Sequence, residues 1–272
     1  MAYDSMTPSK TWYAIREVAE ITGVKPVTLR AWQRRYNLIQ PHRTDKGHRL
    51  YNDDHIAHIR SIQHWLGKGI AIGKVKALLD SPQARDGIQE SPQELDEVGE
   101  LLGALAQLQR GKVEAVIART FKEYPLDIAQ KAFVEPIQLA IANMSKPKRA
   151  LQHGLFQALM SVKLGMILES ENRAAHRGHC LVVNCEASGH LNAWIWAIEL
   201  AGKGVKVTLL DGVSELRGLA DNTILSGYDQ LAIYAEHLPT VTQRNVLSQL
   251  EQQYPIQYSA VLKSLLAPGE KQ

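Results

Sequence analysis

Apolar residues in the first part of the chain recur at helical spacing in two short runs. The first run stops at Gly23, and Pro26 then suits the first turn of a second helix, where no backbone N–H is needed. The second run, "PVTLRAWQRRY", keeps its bulky residues on one side. The pattern predicts a helix-turn-helix. Its inner positions are Ile15, Val18, Ala19, Thr22, Leu29, Trp32 and Tyr36.

A short hairpin is predicted directly after the second helix, in the segment "PHRTDKGHRLYNDDHI". The tip Asp45-Lys46-Gly47 suits a tight reversal between two short strands. Asn52 is placed to cap the next helix, because its side chain can accept a hydrogen bond from a backbone N–H. The hairpin is therefore the predicted wing of a winged helix. Two more helices close its core through Ile56, Ile59, Ile62, Leu66, Val75, Leu78 and Leu79.

The middle of the chain predicts helices throughout, in four successive amphipathic runs. A four-helix bundle is the simplest fold that buries four such faces against one another. The apolar faces are Leu95, Val98, Leu101, Leu102, Leu105 and Leu108; Val113, Val116, Ile117, Thr120 and Phe121; residues 128–141; and residues 151–168.

The last part of the chain changes to an alternation of strands and helices. The segment "CLVVNCEASGHLNAWIWAIELAGKGVKVTLL" predicts a strand at 180–183, a helix at 192–201 and a second strand at 205–210. A third strand is predicted within "YDQLAIYAE" and another helix over 240–253. This order predicts a Rossmann-like α/β domain.

Polar stretches with proline, serine or glycine separate these regions at 81–93 and 170–179. The predicted fold class is therefore a multidomain chain of α and α/β type. Its predicted parts are an N-terminal winged helix-turn-helix domain (10–80), a linker (81–92), a four-helix bundle (93–171) and a C-terminal Rossmann-like α/β domain (178–268).

Charge is distributed unevenly along the chain. The 272 residues carry a formal net charge of +3, but residues 10–80 hold 13 Lys and Arg against 6 Asp and Glu, a balance of +7. A local surplus of positive charge is typical of proteins that bind the phosphate backbone of nucleic acid. The winged helix is therefore the predicted nucleic-acid-binding part.

Composition narrows the class of protein and its compartment. No apolar run approaches the roughly 18 to 20 residues of a membrane-spanning helix, and the first residues lack the features of a signal peptide. A cytoplasmic protein without membrane contact is therefore expected, with Cys180 and Cys185 as free thiols. The chain shows no nucleophile–base pair, zinc-ligand cluster or phosphate-binding glycine loop, so neither an enzyme nor a metal site is predicted.

The outward positions of the second helix and of the hairpin supply candidate DNA contacts. Arginine side chains can form paired hydrogen bonds with guanine edges or with phosphate oxygens. The candidates are Thr28, Arg30, Arg34 and Arg35 on the helix, and Arg43, His48 and Arg49 on the hairpin.

The segment "REVAEITGVKPVTLRAWQRRYNLIQPHRTDKGHRLYNDDHI" resembles the winged-helix DNA-binding domain of the MerR family of transcription regulators. The resemblance implies that Arg30 and Arg34 are recognition-helix contacts and that Arg43, His48 and Arg49 are wing contacts. It adds Thr28, Arg35, Lys46 and Tyr51 as supporting candidates. Aromatic residues at the positions of Tyr51 and Trp32 also fit the core.

The resemblance also implies partners. Members of this family act as homodimers on double-stranded promoter DNA, where they distort the duplex and so assist RNA polymerase. One winged helix covers little DNA, which also favours a symmetric dimer on an inverted repeat. No long coiled coil is evident after the N-terminal module, so we expect the dimer contact in the helical or α/β region. Regulatory proteins are further possible partners of that region.

The form "LRAWQRRY…P.RT..GHRLY" is most similar to one branch of the family. That branch contains the MlrA-type activators of curli and biofilm genes and the CarH-type cobalamin-dependent light sensors. We favour a transcription activator of the MlrA type, with a cobalamin- or other ligand-sensing repressor of the CarH type as the alternative. A cofactor protein with an incidental N-terminal module is a further alternative, which the basic winged helix disfavours.

The helical and α/β regions resemble the cap and the cobalamin-binding domain of that branch, but the cobalamin motif is degenerate. The family motif Glu-Gly-Asp-x-His-x-x-Gly corresponds here to "EASGHLNA". His190 is kept, whereas the aspartate that orients it is Ser188 and the last glycine is Ala193. The late Gly-Gly pair has no counterpart in "YPIQYSAVLKSLL".

The cap departs from the family as well. A tryptophan followed after nine residues by Glu-His corresponds here to Ala142 and then Gln152-His153. We therefore expect no bound cobalamin and no other cofactor. The residues that remain as candidates to line a pocket for another ligand or a protein partner are Glu186, Ser188, His190 and Trp194.

Overall fold

The computed structural model describes residues 11–45, 47–80, 94–220 and 222–267, with residue 222 described by its backbone only. The chain divides into two compact units, Met1–His153 and Gly154–Gln272. One helix, Lys146–Ala174, runs from the first unit into the second. The winged helix shares the first unit with the helices that follow it up to residue 153. The predicted linker at 81–92 lies outside the described residues.

The N-terminal part of the first unit is a winged helix-turn-helix. Its elements are β1 (Tyr13–Ala14), α1 (Ile15–Thr22), α2 (Pro26–Tyr36), β2 (His42–Arg43), β3 (Arg49–Tyr51), α3 (Asp53–Gly67) and α4 (Ile72–Asp80). The three short strands form an antiparallel sheet in the order β1-β3-β2. The predicted helix-turn-helix and hairpin are confirmed.

Local chemistry sets the ends of these helices. The backbone of Gly23 has a φ of 72°, which glycine adopts without strain, and its N–H donates to the carbonyl oxygen of Ala19 at 2.8 Å. Pro26 stands in the first turn of α2. The side-chain oxygen of Asn52 accepts the N–H of His55 at 3.0 Å and so caps α3. The three local predictions are therefore confirmed.

Helices fill the rest of the first unit. They are α5 (Asp96–Ala106), α6 (Arg110–Glu123), α7 (Leu126–Ala129), α8 (Glu135–Ala142) and the start of α9 (Lys146–Ala174). The four predicted helical runs are therefore present, although the third is divided by a π-helical turn, Gln130–Val134. The core of the first two runs consists of Val98, Leu101, Ala104, Leu105, Val113, Val116 and Ile117.

Pro136 accounts for the π-helical turn. Proline has no N–H to return to the carbonyl four residues earlier, which is that of Ala132. The N–H of Glu135 instead reaches five residues back, to the carbonyl of Gln130. The carbonyl of Ala132 accepts the N–H of Leu95 at 3.0 Å. The proline thus ties the third helical run to the start of α5.

The second unit contains a four-stranded parallel sheet and helices. The strands are β4 (His179–Asn184), β5 (Lys206–Leu210), β6 (Gln230–Tyr234) and β7 (Ile256–Tyr258), in the spatial order β5-β4-β6-β7. The helices besides α9 are α10 (Leu191–Gly202), α11 (Asn222–Leu225), α12 (Val241–Glu251) and α13 (Ala260–Leu266), with a 3-10 turn at Arg217–Ala220. The predicted strands and helices are confirmed, whereas β7 and α13 were not predicted.

Both cysteines are free thiols, as expected, and both are shielded from solvent to a large extent. Burial raises the pKa of the Cys180 thiol to about 11. Burial, with the nearby carboxylate of Glu186, raises the pKa of the Cys185 thiol to about 11 as well. Since the thiolate is the reactive form, neither cysteine is prepared for nucleophilic chemistry near neutral pH.

Candidate nucleic-acid interface

The outer side of α2 presents two arginines to solvent. Arg30 and Arg34 are exposed one turn apart, with the half-buried Gln33 between them. The opposite side of the helix is anchored in the core by Leu29 and Trp32, which are fully buried. Because residues three and four apart share one face of a helix, the two guanidinium groups point the same way.

The hairpin β2–β3 carries further basic residues, of which Arg43 is exposed and Arg49 is half-buried. Arg43 and Arg49 stand directly opposite each other in the antiparallel ladder. The tip is closed by the N–H of Gly47, which donates to the carbonyl of Thr44 at 2.8 Å, and Gly47 has a φ of 79° that favours glycine. His48 is exposed beside it, while the predicted contact Lys46 lies outside the described residues.

The hairpin and α2 are joined by side chains. The Nε of Arg49 donates to the side-chain oxygen of Gln33 at 2.8 Å. Burial raises the pKa of the Tyr51 hydroxyl, and the positive charges of Arg49 and Arg30 act against that rise, so both arginines lie near this ring. The structure therefore brings five predicted residues onto one surface. This basic surface consists of Arg30, Arg34, Arg43, His48 and Arg49.

Two of the predicted supporting contacts are in the core instead. Thr28 and Tyr51 are each 1% exposed. Thr28 points inward beside Leu29, and Tyr51 packs edge-on against the ring of His55 at 5.9 Å between centroids. Their side chains are therefore not placed to touch a nucleic acid, contrary to the expectation for these two residues.

Arg35 also departs from its predicted role as a DNA contact. Its guanidinium pairs with the carboxylate of Glu123 at the end of α6, and that carboxylate is fully buried. The hydroxyl of Tyr36 donates to the same carboxylate, and the indole N–H of Trp32 donates to the carbonyl oxygen of Glu123 at 2.7 Å. Three residues of α2 therefore converge on one acidic residue of the helical region.

A second contact beside Glu123 fastens α4. The hydroxyl of Tyr124, a residue only 2% exposed, accepts the N–H of Ile72 and donates to the carboxylate of Glu97, both at 3.3 Å. Burial, helped by the charge of Glu97, raises the pKa of this tyrosine. Sequence reasoning missed the roles of Glu123 and Tyr124, because helical period shows that a position is inward but not which distant residue it meets.

The turn after β4 is held by a dense set of hydrogen bonds. The fully buried Asn184 donates to Asp211 at 2.7 Å and accepts the N–H of Glu186 at 2.9 Å. Asp211 also accepts the hydroxyl of Ser188 at 3.1 Å and the N–H of Gly189 at 2.7 Å. Ser188, one of the four predicted pocket residues, is thus committed to Asp211.

The other three predicted pocket residues lie in the turn between β4 and α10 or on α10 itself. The Nε2 of His190 is 3.5 Å from a carboxylate oxygen of Glu236, and its ring lies 5.6 Å from that of Tyr234. The Nδ1 of His190 and the Nε1 of Trp194 are buried and have no hydrogen-bond partner among the described residues.

Glu186 is held by the end of β6. It accepts the N–H of Glu236 at 2.6 Å and lies 3.2 Å from the Nδ1 of His237. Burial acts to raise the pKa of Glu186, but these two hydrogen bonds outweigh it, so its pKa is lowered. The carboxylate is therefore held in its charged form at the carboxyl ends of the strands. Glu186 and His190 both lie beside Glu236, whereas Ser188 is turned toward Asp211.

Membrane-spanning helices and groups of metal-ligating side chains are both absent from the part of the chain that the structure describes. No helix there is long and apolar enough to cross a membrane. No group of three or more His, Cys, Asp or Glu side chains is placed there to hold a metal ion.

The chain is similar to known regulators over most of its length. Residues 13–82 match the family model for MerR HTH family regulatory proteins. The HTH-type transcriptional regulator MlrA of Escherichia coli is 29% identical over 257 residues, which are 90% of this chain and 97% of that protein. MlrA of Salmonella typhimurium is 29% identical over 234 residues, 80% of this chain and 93% of that protein.

A repressor is among the relatives as well. The HTH-type transcriptional repressor CarH of Myxococcus xanthus is 26% identical over 214 residues, 73% of this chain and 70% of that protein. These relatives are transcription regulators and not enzymes. Residues 13–82 are therefore a MerR-type helix-turn-helix domain, and the chain as a whole is similar to the MlrA regulators over most of its length.

Proposed function

We propose that this chain is a sequence-specific DNA-binding transcription regulator that acts at promoters as a homodimer and activates transcription in the manner of the MlrA type. The observation that carries the proposal is the basic surface. Arg30 and Arg34 of α2 and Arg43 and His48 of the hairpin are exposed, and the half-buried Arg49 joins hairpin and helix through its hydrogen bond to Gln33.

The chemistry of this surface suits duplex DNA. The major groove of DNA is wide enough to admit an α-helix such as α2, and an arginine there can pair with the O6 and N7 of guanine. The hairpin then reaches the neighbouring backbone, where positive side chains neutralise phosphates. The proposal therefore assigns base contacts to Arg30 and Arg34, and backbone contacts to Arg43, His48 and Arg49.

The remaining parts of the chain are assigned to assembly and regulation. We propose that the helices after α4 form a four-helix bundle and that the parallel sheet with its helices is a Rossmann-like domain. RNA polymerase at the distorted promoter is the proposed partner of the DNA-bound dimer. No catalytic role is assigned to any part.

Arg34→Ala is expected to weaken DNA binding about tenfold or more, since a paired arginine–guanine contact contributes about 1–3 kcal/mol. Arg49→Ala is expected to weaken binding to a similar extent on every sequence, since it removes a phosphate contact. The measurement is a gel-shift titration at fixed salt on a duplex selected from a random pool by the wild-type protein. Arg110→Ala is the matched control, because Arg110 is 68% exposed at the start of α6, outside the basic surface. Wild-type affinity in both test variants would contradict the proposed surface.

Cobalamin does not fit the residues at the turn after β4. A cobalt-binding histidine uses one ring nitrogen for the metal and needs a hydrogen-bond acceptor at the other. The Nδ1 of His190 has no such acceptor among the described residues, and its Nε2 faces Glu236. Ser188, at the position of the orienting aspartate, is bonded to Asp211. We therefore propose that this chain binds no cobalamin.

Purified protein mixed with adenosylcobalamin in the dark is accordingly expected to leave gel filtration without a visible corrinoid spectrum. The reason is that loss of the group that orients a metal ligand costs roughly 10- to 100-fold in affinity. A spectrum that co-elutes with the wild-type protein and disappears in His190→Ala would overturn this part of the proposal.

A further inference from the structure

Helix α9 carries apolar residues on two opposite faces. One face lies in the core, where Phe156, Met160 and Leu164 are at most 1% exposed. On the other face Val162 is 61% exposed and Met166 is 65% exposed. An apolar face on a helix is normally covered by another element or by a partner. Within the described ranges of this chain, Val162 and Met166 stay largely open to solvent.

The exposed face has the spacing of a helix-pair contact. Its residues, which we call the α9 stripe, are the exposed Leu151, Ala158, Val162 and Met166 and the half-buried Leu155. The first three intervals, of four, three and four residues, are those of the apolar positions in a coiled coil. The stripe is about 22 Å long at 1.5 Å per residue. It is therefore shaped to receive one further helix along its length.

Charges at the two ends of the α9 stripe indicate which helix packs against it and in which direction. Exposed Lys148 precedes the stripe, and exposed Glu169 follows it. A second copy of α9 running antiparallel places Lys148 of one chain near Glu169 of the other at both ends. A parallel copy sets like charges side by side, which is unfavourable. The charge pattern thus favours an antiparallel second copy, a contact with two-fold symmetry.

We propose that the α9 stripe is the dimer contact of this protein, packed against the α9 stripe of a second copy in antiparallel orientation. The inference rests on the proposed function, which requires a symmetric dimer, and adds where that dimer is made. Ala158 stands at the middle of the stripe, near the two-fold axis. Its small side chain lets the two helix backbones approach closely there.

Val162→Glu tests the contact in the full-length chain without DNA. Sedimentation velocity over a range of protein concentrations is expected to show a dimer for the wild type and at least a tenfold weaker dimer for the variant. Because Val162 is already 61% exposed, the new carboxylate stays solvated in the monomer and the fold is retained. Val241→Glu is the matched control, since Val241 is 64% exposed on α12, and it is expected to dimerise like the wild type.

Charge reversal tests the orientation. Lys148→Glu and Glu169→Lys are each expected to weaken the dimer several-fold, and the two changes together are expected to restore it. A double variant as weak as the single variants would overturn the antiparallel arrangement.

The dimer contact and the proposed function can fail separately. A monomeric wild type, or a Val162→Glu chain that dimerises as strongly as the Val241→Glu chain, would overturn the α9 contact whatever the DNA titrations show. Conversely, a chain that dimerises through the α9 stripe but selects no duplex from the random pool would remove the proposed function and leave the dimer contact standing.

Discussion

Arg35→Ala is expected to destabilise the first unit by about 3 kcal/mol, whereas Arg34→Ala one position earlier leaves its stability unchanged. The carboxylate of Glu123 is fully buried, and Arg35 supplies its counter-charge. Without the guanidinium, the buried carboxylate keeps, among the described residues, only the Tyr36 hydroxyl as a hydrogen-bond donor. The two arginines are neighbours in sequence, but one holds the fold and the other faces solvent.

The measurement is calorimetric melting of both variants beside the wild type. At about 2–4 °C per kcal/mol for a unit of this size, Arg35→Ala is expected to lower the melting temperature of the first unit by roughly 6–12 °C. Adding Glu123→Gln to Arg35→Ala should recover part of the loss, because the charge that must be buried is then gone. Equal melting of Arg34→Ala and Arg35→Ala would show that Glu123 does not need its partner.

Gly212→Ala is expected to destabilise the second unit by about 3 kcal/mol, through backbone strain and overpacking together. Gly212 has a φ of 77°, and a Cβ placed there would lie 2.9 Å from the Cβ of Ser188 and 3.1 Å from its backbone nitrogen. The Ser188 turn cannot easily move aside, since Asp211 holds it through the Gly189 N–H at 2.7 Å. Strain in the backbone of residue 212 and the steric clash with Ser188 therefore both destabilise the variant.

Gly23→Ala is the matched comparison for Gly212→Ala. Gly23 has a nearly equal φ of 72°, but a Cβ there would meet no atom within 4 Å. Only the backbone strain remains, so a loss of about 1 kcal/mol is expected, read from the melting of the first unit. Losses of the same size at both glycines would contradict the crowding at Ser188.

Features that depend on near neighbours in sequence could be predicted. The stop of α1 at Gly23, the start of α2 at Pro26 and the cap of α3 by Asn52 each follow from one residue and its own backbone. The strands β4 and β6 could also be predicted from a local pattern. They are buried on both sides and read as continuous apolar runs.

Features that depend on distant pairings could not be predicted. Glu123 lies about 90 positions from the α2 residues that it binds, and no periodic signal links them. Thr28 and Arg35 both fell on the side of α2 that helical geometry leaves partly outward, yet one is packed inside and the other is paired. The strand β7 is only three residues long, which is too short for its alternation to stand out.

In the candidate site, too, the features set by near neighbours in sequence could be predicted and those set by distant pairings could not. Helical spacing correctly predicted that Arg30 and Arg34 are exposed, and the hairpin pattern correctly predicted the exposed Arg43 and His48. It did not show that Arg49 is tied to Gln33. The DNA contacts themselves stay predictions, to be tested by the titrations above.

The attachment of α2 to Glu123 lies toward one end of that helix. Trp32, Arg35 and Tyr36 occupy its last two turns, while Arg30 stands nearer the start. Glu123 therefore fixes α2 to the helical region near the carboxyl end of that helix. In the proposed complex with DNA, the orientation of α2 in the groove would depend on a residue that belongs to another helix.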